Sequence, residues 1–353
     1  MKGVACLSVT VAIPVIAYIV AVILGLTASE HSLLVHTNGQ GEQLAPDFRG
    51  IPVAPEGTCS YVRSKASNLW LHRRMWEPEC GAEKARAVLV FAHGVMEHSG
   101  RFLEMPEPLT HAGIAVAMQD AEGHGRSEGD RIFVPHFSRL VEDYIQLIKD
   151  VRAAHPGVPV ICSGHSMGSL MAGYTVEFNN TNDDGSLLCD GVILMGLATQ
   201  GRSERRIREK PQGMKAFDVI SQLFPHLKLA KLSTADQISS DPDEVKAWVE
   251  DPYTGKTALF TSTGDQLLHA QFDVADNAKL INIPLLLLHG SDDTIAYPDG
   301  ARELFAASST PAENKKLIIY EGARHGVLME PKYKKQALEE IKNFVLSRVK
   351  ASA

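Results

Sequence analysis

The pentapeptide Gly164-His165-Ser166-Met167-Gly168 follows the apolar run Val158-Pro159-Val160-Ile161-Cys162. A short β-rich run feeding into G-x-S-x-G is the pattern of a nucleophile elbow. The serine sits on a sharp strand-to-helix turn with strained dihedrals, so only glycine fits two residues before and after it. Such a turn lifts the Ser166 hydroxyl above a sheet, at the N-terminus of a helix. The Met167 N–H is then free to hold an oxyanion.

Three other segments supply what a serine nucleophile needs. His93-Gly94-Val95-Met96-Glu97-His98 ends the strand-like run Ala87 to Ala92, and the Val95 N–H is a second candidate oxyanion donor. Leu285 to Leu288 runs out through His289-Gly290-Ser291 into Asp292 and Asp293. Lys316 to Tyr320 is followed by Glu321-Gly322-Ala323-Arg324-His325. The order along the chain is serine, aspartate, histidine. That is the order of α/β-hydrolases, not of chymotrypsin or subtilisin. Alone, His325 reads as an ordinary loop histidine; with the other segments it reads as a general base.

The segments HGVMEHSGRF (from His93), DAEGHGRSEGDR (from Asp120), GHSMGS (from Gly164), HGSDD (from His289) and YEGARH (from Tyr320) resemble the monoacylglycerol lipase group. These are serine hydrolases of the α/β-hydrolase fold, allied to lysophospholipases. The resemblance spans roughly residues 60 to 348. It implies Ser166 as nucleophile, His325 as base and Asp293 (last residue of an H-G-x-x-D run) as the orienting acid. It also implies Val95 and Met167 N–H groups as the oxyanion hole. Two positions depart from the family pattern. Met96 stands where glycine is usual, narrowing the acyl pocket, and Ser169 replaces the second glycine after the elbow.

At 353 residues the chain has the length for one large α/β domain with an insertion. Hydrophobic content of 44% and charged content of 22% are those of a globular protein. The formal net charge of −7 argues against nucleic acid as a partner.

Residues 3–28 carry no charge and, as a helix, are long enough to cross a ~30 Å hydrocarbon core. A cleavable signal peptide has a shorter apolar core of about 7–15 residues. We therefore read residues 1–28 as an uncleaved transmembrane anchor, with a signal peptide as the alternative. Pro14 is tolerated in such a span. Lys2 precedes the run and no Lys or Arg follows it until Arg49, which places the hydrolase domain in the lumen or outside the cell. Asn179-Asn180-Thr181 is a glycosylation sequon in a polar stretch, in keeping with that side. Cys59 and Cys80 flank two β-like runs that read as a hairpin, and are either disulfide-bonded or free. Cys6 lies in the apolar run, Cys162 reads as a small buried apolar residue, and Cys189 has no evident partner.

Residues 29–58 read as a linker and 59–350 as the hydrolase domain. Strands are expected at Leu69–Trp76, Ala87–Ala92, Ile114–Gln119, Val158–Ser163, Gly191–Met195, Pro284–His289 and Lys315–Tyr320. Helices are expected at Phe137–Ala154, after Ser166, from about Pro298, and at Lys332–Arg348. The alternation predicts a mostly parallel sheet with helices on both faces. The stretch from Met195 to Pro284 is too long for a simple crossover, so a helical cap is expected at about 198–282. Its basic start, Gly201 to Lys210, is either a contact for anionic lipid or a solvated loop. Phe217, Ile220, Leu223 and Phe224 make an amphipathic helix up to Pro225, its apolar stripe facing either the sheet domain or a membrane. In the family, the segment matching Asp251-Pro252-Tyr253-Thr254-Gly255 and the helix beyond lines the acyl tunnel.

The function so implied is hydrolysis of a monoacylglycerol or similar single-chain lipid ester through an acyl-enzyme, with no metal or cofactor. A lysophospholipase, carboxylesterase, acyltransferase or peptidase on the same scaffold is the alternative. A catalytically silent binding module is disfavoured by the intact Ser166, Asp293 and His325. His124 reads as a structural residue of its loop. Glu97 and His98 read as ordering the oxyanion loop rather than contacting a headgroup.

Overall fold

The computed structural model describes residues 57–182, 184–199, 211–229, 234–255 and 258–349. The apolar run 3–28 and most of the linker lie outside these. Among the described residues, no helix is long and apolar enough to cross a membrane.

Eight strands form one sheet in the order β1-β2-β4-β3-β5-β6-β7-β8. They are β1 (Thr58–Arg63), β2 (Trp70–Trp76), β3 (Ala87–Ala92), β4 (Ile114–Gln119), β5 (Val160–His165), β6 (Gly191–Met195), β7 (Leu285–Gly290) and β8 (Lys315–Tyr320). β1 and β2 form an antiparallel hairpin, β2 pairs antiparallel with β4, and all pairings from β4 to β8 are parallel. The α/β-hydrolase architecture expected from the sequence is the one observed.

Every residue of β3, β4, β5, β6 and β7 is buried, which is why each reads as a continuous apolar run rather than an alternating one. Side chains still alternate between two cores. Val88, Val90 and Ala92 enter one, and Ala87, Leu89 and Phe91 enter the other. The edge strand β8 is only half-buried and begins with Lys315 and Lys316, charges that blunt an open sheet edge.

Helices α1 (Pro106–Thr110), α2 (Phe137–Ala154), α3 (Met167–Phe178), α7 (Pro298–Ala307) and α8 (Pro331–Leu346) cover the sheet. Between β6 and β7 the described residues form three further helices, α4 (Pro211–Leu223), α5 (Pro242–Glu250) and α6 (Thr261–Asp276), and no strand. This segment bonds to the main domain at many points, backbone to backbone among them. The Gly255 N–H donates to the Met96 carbonyl at 2.9 Å, and the Gly326 N–H donates to that of Ile238 at 2.8 Å.

The cysteines correct the sequence reading. Cys162 and Cys189, both fully buried, form a disulfide, while Cys59 and Cys80 are free. The hairpin register explains the second point. Cys59 lies opposite Arg74, so Cys80 sits beyond the end of β2 and six positions past that partner. The first follows from adjacency of β5 and β6, which brings Cys189, just before β6, to a Cα–Cα distance of 5.9 Å from Cys162.

Glu177 on α3 is a local conflict. Both carboxylate oxygens are buried without a hydrogen-bond partner. Burial, reinforced by Asp273 on α6, pushes its pKa up to about 9. A folded-state pKa above the ordinary 4.5 means that charging Glu177 increasingly opposes folding as pH rises from 4.5 towards 9. Glu177→Met is therefore expected to stabilise the protein by on the order of 3 kcal/mol at pH 7. Thermal unfolding across pH checks this, because the gain should shrink towards zero near pH 4.5.

Candidate active site

The sequence-flagged residues converge at the carboxyl ends of β3, β5, β7 and β8, where open α/β sheets carry their sites. Ser166 stands between β5 and α3 with φ 53 and ψ −118, a left-handed strain a serine adopts only when its surroundings force it. The flanking glycines show what forces it. A Cβ on Gly164 would lie 2.1 Å from the Gly168 carbonyl oxygen, and one on Gly168 would lie 2.0 Å from that of Ala92. The Ser166 N–H is held by the Met195 carbonyl at 3.0 Å, and Ser169 Oγ donates to the Ser166 carbonyl at 2.5 Å. Ser169 is therefore a brace of the elbow. Met167 opens α3, and first-turn N–H groups have no intrahelical acceptor.

The loop after β3 is pinned so that one N–H is turned out. The Ala121 N–H donates to His93 Nε2 at 3.0 Å, so His93 carries its proton on Nδ1 and donates to the Gly94 carbonyl at 2.8 Å. Burial lowers the His93 pKa and keeps it neutral. In a planar trans peptide the next N–H, on Val95, points opposite to that carbonyl. The Gly94 N–H is taken by Glu97 Oε2 at 3.0 Å. Gly94 itself lies against the elbow serine, since a Cβ there would come within 3.0 Å of Ser166 Cβ. Met96 follows at φ 65 and is buried, so a methionine occupies a backbone position that favours glycine.

Asp293 and Asp292 are clearly told apart. Asp293 is buried, and its Oδ2 accepts from His325 Nδ1 at 2.7 Å, with His289 Nε2 at 3.1 Å. Its Oδ1 accepts the N–H groups of Ile295 and Ala296, each at 2.9 Å. Burial alone would raise its pKa, but the His325 and His289 imidazoles outweigh it and hold the carboxyl well below the usual range. Asp292 is exposed and bonded to Ser291 Oγ at 2.8 Å.

Beneath the elbow lies a buried pair that the motifs did not reveal as a pair. His165 Nδ1 meets Glu97 Oε2 at 2.9 Å, and His165 Nε2 meets the His325 carbonyl at 3.1 Å. Both partners are acceptors, so both ring nitrogens carry protons. Burial opposes each charge, yet Glu97 raises the His165 pKa, and His165 brings Glu97 down to about 2. This pair joins the loop after β3, the elbow and the backbone of His325.

Asp120 plays the same part for the Gly-His-Gly loop. Its carboxylate accepts the Ser99 N–H at 2.7 Å and the Arg126 N–H at 2.9 Å, and faces His72 Nδ1 at 3.1 Å. His124 is buried, its Nδ1 on the Glu122 carbonyl at 2.8 Å. His98 donates from Nε2 to Asp251 at 2.8 Å, tying the segment between β6 and β7 to the loop after β3. Sequence reasoning gave no role to Asp120 and His72, which are partners far apart along the chain, or to His289, which lies within the apolar strand β7.

Comparison with known proteins matches this site to a family. A serine aminopeptidase S33 family model covers residues 83–332. The human monoglyceride lipase is 31% identical over 288 residues, covering 80% of this chain and 89% of its own. A monoglyceride lipase homolog from Monkeypox virus is 29% identical over 284 residues, covering 80% and 96%. The crystal structure of Paleococcus ferrophilus monoacylglycerol lipase superposes with a TM-score of 0.66 at 25% identity, covering 79% of this chain and 99% of that one. With an elbow serine and a buried Asp–His pair on a matching sheet, the chain belongs to the serine aminopeptidase S33 family of α/β-hydrolases, as a serine ester hydrolase related to the monoglyceride lipases.

Proposed function

We propose that the chain hydrolyses a monoacylglycerol, or a similar single-chain lipid ester, through an acyl-enzyme on Ser166. The observation that carries the mechanism is the 2.7 Å bond from His325 Nδ1 to buried Asp293, at the same end of the sheet as Ser166. His325 Nε2 takes the Ser166 proton as the hydroxyl attacks the ester carbonyl, and Asp293 holds the required tautomer. The Val95 and Met167 N–H groups stabilise the oxyanion, and His325 returns the proton to the departing alcohol. Water, activated by the same imidazole, then releases the fatty acid.

The lipid substrate draws support from the relatives, which are named monoglyceride lipases over most of the chain. The segment at about 198–282 is the cap of this reading. The exposed Val219, Ile220 and Leu223 of α4 suit contact with a lipid surface. One acyl chain, at about 0.8 kcal/mol for each buried methylene, supplies most of the binding, while Met96 narrows the space for a second. Full-length protein in detergent micelles, assayed against monoacylglycerols, diacylglycerols, lysophospholipids and short p-nitrophenyl esters, should show its highest kcat/KM on monoacylglycerol. A preference for lysophospholipid would replace the substrate, and activity confined to short esters would remove the lipid reading.

We further infer that residues 3–28 anchor the enzyme with its hydrolase domain lumenal or extracellular. The Cys162–Cys189 disulfide suits an oxidising compartment, and Asn179 of the sequon is exposed. Expression in a eukaryotic cell should give carbonate-resistant membrane association and a glycosidase-sensitive mass shift, the shift lost in Asn179→Gln. An anchored protein without the glycan would leave the anchor standing and undermine the orientation.

A further inference from the structure

Helix α4 is joined to α6 by a polar contact that ester hydrolysis does not use. Asp218 on α4 faces Asp265 and His269, which lie one turn apart on α6. An oxygen from each carboxylate and a nitrogen of the imidazole all lie within 4.8 Å of one another. His269 Nε2 is 3.1 Å from Asp218 Oδ1 and 3.7 Å from Asp265 Oδ1. Gly264 lets this part of the chain come close, since a Cβ there would meet Leu229 at 2.8 Å and Phe217 at 3.5 Å.

Asp265 shows that the cluster is more than a surface group of charges. It is only 7% exposed, and its Oδ1 is buried with no hydrogen-bond partner. The imidazole nitrogen facing the cluster has one proton to give and lies nearer Asp218. The buried oxygen is left short of a positive partner, and a lone carboxylate in that position is costly.

We propose that Asp218, Asp265 and His269 bind a divalent first-row transition ion, zinc by preference, which clamps α4 to α6. Two carboxylate oxygens and an imidazole nitrogen are a donor set that zinc accepts, whereas calcium and magnesium take oxygen alone. At zinc bond lengths of about 2.0–2.2 Å, tetrahedral ligand atoms stand roughly 3.4 Å apart. The 3.1 and 3.7 Å separations straddle that value. A water would complete the fourth position on the solvent side, where the His269 side chain is 44% exposed. The clamp would hold α4 to a helix that is itself fixed to the domain, because α6 packs on α3, with Val274 filling the space left by Gly173. It would thus set how readily the apolar side of α4 moves away from the domain.

The test uses full-length protein in detergent micelles, stripped with chelator and titrated with zinc. One equivalent should bind with micromolar or tighter Kd and raise Tm. His269→Gln and Asp218→Asn should each weaken binding at least tenfold and abolish the Tm rise. Labelling by a fluorophosphonate probe, which needs only Ser166 and its partners, should stay at the wild-type rate and certify folding. Zinc uptake that survives both substitutions, or no uptake at tens of micromolar zinc, overturns the proposal.

Discussion

Asp293→Asn is expected to lower turnover about 10⁴-fold, the magnitude of the same change in the serine protease triad, while leaving the fold intact. The amide keeps the shape and still accepts from Ile295 and Ala296, but it presents a donor or a neutral acceptor to His325 Nδ1. The imidazole then loses both its correct tautomer and the charge that stabilises it when protonated. The neighbouring Asp292→Asn should change turnover by no more than a few-fold, since that carboxylate is exposed and bonded to Ser291. Steady-state hydrolysis of a soluble ester by both variants decides the matter. A large loss in Asp292→Asn with little in Asp293→Asn would move the acid by one residue and invalidate the geometry assigned to the loop after β7.

Glu97→Ala should cost both stability and turnover. The carboxylate is the acceptor for the Gly94 N–H and for His165 Nδ1, all buried. Removing one partner of a buried ion pair typically costs about 3–5 kcal/mol, because the other charge is left without compensation. The His93–Gly94 peptide, next before the Val95 N–H, would also lose the side chain that holds its N–H, so turnover should fall by about 10²–10³, as when an oxyanion donor is lost. Glu97→Gln retains an acceptor for Gly94 and should be milder on both counts.

The pair has a pH signature. Glu97 titrates at about 2 in the fold against 4.5 ordinarily, so its contribution is complete above pH 4.5 and is lost as pH falls towards 2. His165 is shifted upward from 6.5, so its contribution is complete below that pH and is lost as pH rises through the folded value. Both act together between 4.5 and 6.5. Urea unfolding of Glu97→Gln should show a flatter acid limb than the parent. An acid limb identical to the parent's would remove Glu97 from this role.

The parts of the fold that were legible in the sequence are those where local pattern and tertiary environment agree. The buried parallel strands are unbroken apolar runs, and α2 lies at Phe137–Ala154, where its pattern placed it. The elbow was legible because backbone crowding at Gly164 and Gly168 leaves no other residue type possible. Strand ends were less so. β5 continues to His165, two residues past the expected Ser163, because Gly164 and His165 still pair with Leu194 and Met195. What could not be read were contacts between residues distant in the chain that carry no local mark. Cys162 and Cys189 sit in apolar surroundings that describe a buried free thiol equally well. Glu97 and His165 lie in different motifs, and only the closure of the sheet brings them to 2.9 Å.

The Cys162–Cys189 bond also governs how the chain answers to a cut. Between the two cysteines lie Ser166, all of α3 and the exposed turn at 184–187. A protease nicking that turn would separate the backbone into a piece bearing the serine and a piece bearing the aspartate and histidine. The two would remain one molecule, migrating together without reductant and apart with it. The turn is thus a place where new termini or an inserted peptide can be introduced, with β5 and β6 still fastened side by side.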